Sequence, residues 1–152
     1  MQTVYVDTSV FGGCYETDHS KDSLQLLNEF KRGEKKMMIS ELVIEELNDA
    51  RHEIRILPLE VPVIFSIMAP VSFRARMLAQ KYIQDGVLSA KSIYDALHIA
   101  TATLQGANTV ASLNFRHMVN SGKIKHINAI NTDMGFRTIE IKTPKEIINP
   151  SL

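Results

Sequence analysis

The predicted fold is organised around Val4–Ser9, with the sequence Val-Tyr-Val-Asp-Thr-Ser. Its β-branched and aromatic residues predict a buried strand over Thr3–Val6. Asp7 ends the apolar run with a carboxylate, at the edge where ligands bind in an open parallel sheet. On this stretch alone two interpretations of Asp7 stay open: an acid placed for chemistry, or a residue that caps the next helix.

Strand-like and helix-like patterns alternate along the rest of the chain. Further strands are expected at Lys36–Ser40, Thr109–Ser112 and Thr138–Lys142, with Val61–Met68 a further candidate. Helices are expected at Asp22–Lys31, Glu41–Ala50, Ser72–Gln84, Ser92–Leu104 and part of Arg116–Ile130, and Asp7–His19 is expected to be a loop. This alternation predicts an α/β fold with a mostly parallel sheet, in one domain over residues 1–152.

Composition narrows the class of protein. Hydrophobic residues make up 45% and charged residues 22% of the chain, as in ordinary soluble domains. No apolar run approaches the roughly 18 residues that a membrane span needs, and no secretory signal opens the sequence. The single Cys14 cannot form an internal disulfide. These features predict a cytoplasmic protein with no membrane partner.

The charge balance excludes one class of nucleic-acid binder. Lys plus Arg number 17 and Asp plus Glu number 17, so the formal net charge is zero. Strong nonspecific DNA binding would need an excess of positive charge. A nuclease stays compatible with this balance, because local basic groups matter more than the sum.

The predicted helix Glu41–Ala50 carries three glutamates, which helical phase separates. Ser40 is expected to N-cap it. Its apolar face is formed by Leu42, Val43, Ile44 and Leu47. Glu41 and Glu45 fall nearly opposite this face, whereas Glu46 falls on its rim. A carboxylate there is costly to bury unless it is paired or bound to a metal, so Glu46 is either a functional acid or an ordinary surface residue.

The predicted helix Ser92–Leu104 carries Asp95 in its first turn and His98 one turn later, on a similar side. The helix dipole favours an acid in the first turn, and this by itself explains Asp95. A lone histidine at this spacing is more often packed or hydrogen-bonded in the core than a metal ligand. We interpret His98 in that way.

Polar residues also follow the strand that ends at Ser112. Asn114 comes two residues later, where a turn hydrogen bond would explain it. In a doubly wound sheet these two residues can converge with Asp7, Glu46 and Asp95 on one edge. Carboxylates placed together raise one another's pKa, and a hard divalent cation relieves that repulsion.

Four motifs in this order resemble a PIN-domain nuclease, closest to the VapC-like toxins of toxin–antitoxin pairs. They are Val6–Val10, Ile39–Ser40 with Glu46–Leu47, Asp95–Ala100 and Ser112–Phe115. The resemblance covers nearly the whole chain. It implies a three-layer α/β/α sandwich around a mostly parallel central sheet.

The resemblance also implies the site residues. Asp7, Glu46 and Asp95 match the acids that hold Mg²⁺ or Mn²⁺, and Asn114 belongs with them to the catalytic set. Supporting positions are Thr8, Ser9, Ser112 and His117. The family often has a fourth acid where this chain has His117. That departure leaves three readings open: one metal, a metal held partly by Asn114, or reduced activity.

The implied reaction is hydrolysis of phosphodiester bonds in RNA. The resemblance further implies a cognate antitoxin protein and a homodimer as partners. Arg116, beside the predicted site, is the basic residue expected to contact the RNA backbone. The other groups of Lys and Arg are expected to be solvated helix faces. For Leu57–Met68 the alternatives are a partner surface and plain core, and core is favoured.

Two other classes compete with the nuclease. The first is a PIN fold that has weakened activity and acts as an RNA- or protein-binding module, which His117 favours. The second is a different α/β enzyme. A dinucleotide-binding domain would need a G-x-G-x-x-G after the first strand, which Gly12–Gly13 does not supply. An aspartyl phosphatase of the haloacid-dehalogenase type would need an acid at Ser9.

Overall fold

The computed structural model describes residues 1–150 of the chain, and its centre is an all-parallel sheet. The strands are β1 (Thr3–Val6), β2 (Lys36–Ser40), β3 (Ser66–Ala69), β4 (Thr109–Ala111) and β5 (Glu140–Lys142). Their order across the sheet is β3-β2-β1-β4-β5. The predicted buried strand is therefore the central one. The α/β class with a parallel sheet is confirmed.

Helices cover both faces of this sheet. They are α1 (Thr8–Gly13), α2 (Ser20–Lys31), α3 (Glu41–Leu47), α4 (His52–Arg55), α5 (Phe73–Gln84), α6 (Ile93–Leu104), α7 (Ser121–Asp133) and α8 (Pro144–Ile148). Right-handed crossovers place α1 to α4 on one face and α5 to α7 on the other. Contacts between helices support this division into two faces, because α1 contacts α2, α3 and α4, whereas α5 packs along α6. The last helix, α8, packs on α2. The three-layer α/β/α arrangement is thus confirmed.

The strand order creates a switch point beside β1. The chain leaves β1 for β2 on one side, and later returns to β4 on the other. Open α/β sheets bind ligands beyond the carboxyl ends of the strands at such a point. The ends of β1 and β4 are followed by Asp7 and Ser112, so the fold itself places these two residues where a ligand would bind.

Several predicted boundaries change in the structure. The expected loop Asp7–His19 is wrong in its first half, which forms the short helix α1. The expected helix Glu41–Ala50 ends at Leu47, and a second short helix follows. The candidate strand Val61–Met68 begins only at Ser66, after two turns of 3₁₀ helix, because Pro62 lacks an N–H for a sheet ladder. The predicted domain extends to Ser151 and Leu152, which lie outside the described residues.

The expectation of plain core for Leu57–Met68 is wrong for half of this segment. Leu57 and Val61 are buried, and Phe65 and Ile67 are partly buried against the core, but four other apolar side chains of the segment are exposed. Those exposed residues are Leu59, Val63, Ile64 and Met68. Ile44, expected on the buried face of its helix, is exposed as well. Within residues 1–150, none of the helices is both long and apolar enough to cross a membrane.

Candidate active site

Asp7 is held at the carboxyl edge of the sheet by two serine hydroxyls. Parallel pairing aligns Val6 with Ala111, so the next residues, Asp7 and Ser112, are neighbours. Ser112 Oγ donates a hydrogen bond to Asp7 Oδ2 at 3.0 Å, and Ser9 Oγ donates to the same oxygen at 2.7 Å. Asp7 occupies the N-cap position of α1, yet its side chain makes no capping bond to a described residue. The capping interpretation is therefore wrong for this carboxylate.

Glu46 reaches the same edge from α3. Its carboxylate oxygen Oε1 accepts a hydrogen bond from Thr8 Oγ1 at 2.9 Å and also pairs with His98 Nε2. The side chain is 39% exposed. Glu41 and Glu45 are exposed, as their helical phase predicts. Of the three glutamates of α3, the structure thus brings Glu46 to the site, as helical phase predicted. Its side chain lies at the rim of the site and is not buried.

A buried chain of hydrogen bonds connects Glu46 to the core of the protein. His98 Nδ1 lies 2.6 Å from the Tyr5 hydroxyl, which lies 2.7 Å from Ser40 Oγ. Tyr5, Ser40 and His98 are all fully buried. Ser40 Oγ makes this bond and forms no capping bond to a described residue of α3, so the predicted Ser40 cap is wrong. The interpretation of His98 as a hydrogen-bonded core residue matches this arrangement.

His98 and Glu46 each stabilise the charged form of the other. Burial alone would lower the pKa of His98, but the bond to Glu46 and the charges of the surrounding acids raise that pKa above its usual value. Burial opposes ionisation of Glu46, yet the bond to His98 lowers the pKa of this carboxyl below its usual value. His98 Nε2 also lies 3.6 Å from Asp7 Oδ1. The imidazole therefore joins two of the three acids.

Asp95 lies in the first turn of α6 and is held from the β4 side. Asn114 Nδ2 donates to Asp95 Oδ2 at 3.0 Å, while Asn114 Oδ1 accepts from the backbone N–H of His117 at 3.2 Å. Burial raises the pKa of Asp95, and the charge of Asp7 raises it further. Negative charge is thus crowded at this edge. The turn bond expected of Asn114 is present, together with its bond to an acid.

The last two candidate residues lie at the rim. His117 is half-buried, and its charge lowers the pKa of Asp95, which places it beside that acid. Arg116 is exposed, and its guanidinium forms no hydrogen bond or ion pair with any residue in 1–150. Both residues follow Asn114 within three positions, after the end of β4.

Sequence reasoning missed Tyr5 and Ser40 as parts of the site. A usable signal was present: Tyr5 and Asp7 are two apart on one strand, so their side chains share a face. Ser40 ends the neighbouring strand, at the same edge. Tyr5 was assigned to the strand core and Ser40 to a helix cap, because the residues next to each in the sequence already accounted for its presence.

The acids at this edge supply the type of donor atom that a hard divalent cation prefers, but in this structure they do not enclose a common position for one. Carboxylate oxygens are the ligands that Mg²⁺ and Mn²⁺ prefer, and a cation would relieve the repulsion that raises the pKa of Asp95. Asp7 Oδ1 and Asp95 Oδ1 accept no hydrogen bond from the described part of the chain. Among residues 1–150, however, no three His, Cys, Asp or Glu side chains enclose a common metal position. Glu46 Oε1 is turned toward Thr8 and His98 instead.

The all-parallel sheet and the helices on its two faces define an α/β/α fold whose switch point lies beside Asp7. Residues 4–118 match the PIN domain family, and the chain belongs to that family. No curated protein matches the sequence significantly.

Solved structures share the fold at low sequence identity. VapBC2 from Rickettsia felis, bound to a DNA fragment from its promoter, has a TM-score of 0.58 and 13% identity, covering 93% of this chain and 98% of that one. FitAcB from Neisseria gonorrhoeae has a TM-score of 0.58 and 14% identity, with the same coverage. VapC20 from Mycobacterium tuberculosis, a toxin that cleaves the sarcin–ricin loop, has a TM-score of 0.56 and 14% identity, covering 90% and 98%. The family match and the likeness to solved structures therefore both establish the PIN fold.

Proposed function

We propose that this protein is a Mg²⁺- or Mn²⁺-dependent endoribonuclease, and the toxin of a toxin–antitoxin pair. The observation that carries the proposal is the convergence of Asp7, Glu46 and Asp95 on the switch point of a PIN fold, with the pKa of Asp95 raised by burial and by its acidic neighbour. Proteins of this family are generally nucleases. The cleavage described for the structural neighbour VapC20 supports RNA as the substrate.

Asp7, Glu46 and Asp95 would hold the cation. When bound, the cation supplies a water of lowered pKa and a positive charge for the phosphate oxygens. Ser9 and Ser112 fix the direction of the Asp7 carboxylate, because both bond to Oδ2 and leave Oδ1 free for a ligand. Asn114 does the same for Asp95. A carboxylate of this group would accept the proton of the attacking water, and Arg116 would contact a phosphate of the RNA backbone.

We also propose a cognate antitoxin as partner, and a homodimer as the assembled state. The neighbours from R. felis and N. gonorrhoeae are described as two-component complexes, VapBC2 and FitAcB. The exposed apolar side chains around β3 offer surface that a partner would bury.

The test is cleavage of a mixed set of labelled RNAs by the full chain in Mn²⁺, Mg²⁺ or EDTA. We expect cleavage with either metal and none in EDTA. Asp7→Asn keeps the shape of the side chain but removes its charge, and should lower the cleavage rate by about 100-fold or more. Calorimetric titration with Mn²⁺ should show correspondingly weaker binding.

Asp133→Asn is the matched control, because Asp133 is exposed at the end of α7, away from the site. It should cut RNA at the wild-type rate. Equal losses in both variants, or cleavage that persists in EDTA, would contradict the proposed site.

One observation favours a second candidate, a binding module of weakened activity. His117 stands where the family often has a fourth acid, and the Asn114 oxygen, the other candidate ligand there, is already bonded to the His117 N–H. If the wild-type chain bound RNA but neither cut it nor bound Mn²⁺, this candidate would replace the nuclease.

A further inference from the structure

A cavity opens at the sheet edge directly beside the acidic site. Its volume is about 240 Å³, below the roughly 300–1,000 Å³ that is usual for drug-sized ligands. Its walls include His19, Asp22 and Ser23 on the α2 side, Leu113 and Phe115 after β4, and Lys145 on α8. None of these residues belongs to the set of acids described above. The cavity therefore has its own lining and the size of a small planar group.

The segment after β4 divides its side chains between the site and the cavity. Ser112 and Asn114 bond to the acids Asp7 and Asp95, whereas Leu113 and Phe115 line the cavity. The wall is also tied to the site, because the Leu113 N–H donates to the Ser9 hydroxyl that holds Asp7.

The geometry of the sheet sets the distance between the acidic site and the cavity. The acids lie at the ends of β1 and β4. The cavity lies beyond the ends of β4 and β5, where Thr143 follows β5 in its wall. Neighbouring strands are about 4.8 Å apart. A group in the cavity would thus lie about one strand spacing along the sheet edge from a group at Asp7, close enough for neighbouring parts of one ligand to occupy both.

The mouth of the cavity carries two aromatic rings. Phe115 is 51% exposed, although a large apolar side chain gains little by facing water. Its ring lies 5.9 Å from that of His19, with 38° between the ring planes. Aromatic and histidine rings held at a surface in this way are the groups on which proteins stack unpaired RNA bases.

The inner wall carries a polar group without a partner. Ser23 is fully buried, and its hydroxyl forms no hydrogen bond with the described residues. Leaving a buried hydroxyl unsatisfied costs free energy. Asp22, half-buried in the first turn of α2, adds a carboxylate that accepts N–H donors. Lys145, exposed at the rim, adds a cation for a phosphate.

We propose that this cavity binds the base of the nucleotide next to the bond that is cut, and so contributes to sequence preference. The exposed Phe115 ring would stack on one face of the base, with His19 packed against that ring, and Asp22 would face the polar edge of the base. Since a carboxylate accepts but does not donate, bases that turn an exocyclic amino group toward Asp22 are favoured over uracil, whose single N–H is flanked by two carbonyl groups that the carboxylate repels. As a statement about substrate, this rests on the proposed ribonuclease function.

Binding is tested without cleavage. The four nucleoside 5′-monophosphates and ribose 5-phosphate are titrated into the full Asp7→Asn chain in EDTA, and amide shifts are followed by NMR. We expect saturable shifts in residues 18–23 and 113–115, with UMP binding weakest of the four and ribose 5-phosphate giving none there. Phe115→Ala should weaken binding by about 5-fold or more, since stacking on an aromatic ring is lost. Asp22→Asn should remove the discrimination against UMP.

Phe73→Ala is the matched control, because Phe73 is an exposed phenylalanine at the start of α5, outside the cavity. It should leave all affinities unchanged. Shifts outside the cavity, equal binding of all four nucleotides, or the same shifts with ribose 5-phosphate would overturn the proposal.

Cleavage of a random-sequence RNA pool tests the link to the reaction. Asp22→Asn should broaden the base preference at one position beside the cut, while total cleavage changes less than the preference does. An unchanged preference would overturn the substrate role of the cavity. A wild-type chain that cuts no RNA, yet binds nucleotides in the cavity, would instead refute the proposed nuclease and leave the base site standing.

Discussion

His98 shows how one residue can connect the core to the site. It is fully buried, yet both ring nitrogens have partners, the Tyr5 hydroxyl on one side and the Glu46 carboxylate on the other. Its role is positioning: it orients the Glu46 carboxylate and stabilises its charge. Tyr5 is bonded only to His98 and Ser40 among the described residues. Removing the imidazole would therefore leave a cavity and deprive a buried hydroxyl of one partner.

His98→Ala should destabilise the protein by about 2–4 kcal/mol, the cost of a cavity together with disrupted buried hydrogen bonds. His98→Gln, which keeps polar groups near both partners, should lose less. The measurement is urea unfolding in EDTA. His126→Ala is the control, because His126 is exposed on α7 and should change stability by less than about 0.5 kcal/mol. Similar losses in the two alanine variants would contradict a structural role for His98.

At the scale of elements, the turn between α2 and β2 depends on a glycine. Gly33 has φ of +74°, a conformation that side-chain-bearing residues seldom adopt. A Cβ at Gly33 would lie 2.5 Å from Cζ of Phe65, the residue just before β3. The turn that ends α2 is thus packed against the chain entering the edge strand. Gly106, which follows α6 with φ of +84°, has no neighbour that a Cβ would meet within 4 Å among the described residues.

Gly33→Ala should therefore cost more than Gly106→Ala. Both substitutions carry the left-handed backbone penalty of about 1–2 kcal/mol. Only Gly33→Ala adds the cost of displacing a packed ring, about 1–3 kcal/mol for overpacking. Thermal unfolding of the two variants measures the difference. Equal melting temperatures would mean that Phe65 moves away freely.

At the scale of the whole molecule, an exposed apolar surface coincides with zero net charge. Val63 is 88% and Ile64 74% exposed, next to Leu59 and Met68. The formal net charge is zero and the isoelectric point is about 7.0. Net charge keeps proteins apart in solution, and apolar surface draws them together. The isolated chain therefore has both features that promote self-association near neutral pH.

The double variant Val63→Lys with Ile64→Lys should be markedly more soluble at pH 7, measured as the precipitant concentration at which half of the protein remains in solution. Its melting temperature should stay close to that of the wild type, since both side chains are exposed.

The control, Gln25→Lys with Ala129→Lys, adds the same charge at exposed helix positions and removes no apolar surface of the β3 edge. If both pairs raised solubility equally, charge alone would explain the effect and the apolar surface would have no part in it.

The sequence by itself determined the class of fold, the buried first strand and the acids that follow strands or lie on helices. These follow from local patterns, because the periodicity of apolar residues reports which face of an element is buried. The Thr3–Val6 strand, the phase of Glu46 and the turn bond of Asn114 are of this kind. Boundaries shifted where a local signal was ambiguous, as for α1, which is too short to show a period.

Only the tertiary structure decided which side chains meet. The bond from Ser112 to Asp7 spans 105 positions and depends on the register of β1 with β4. The chain from Ser40 through Tyr5 to His98 needs the strand order and the packing of α6 on the sheet. Exposure of Val63 and Ile64 depends on β3 lying at the sheet edge. Contacts of this kind are set by the closure of the whole sheet, which no local window of sequence contains.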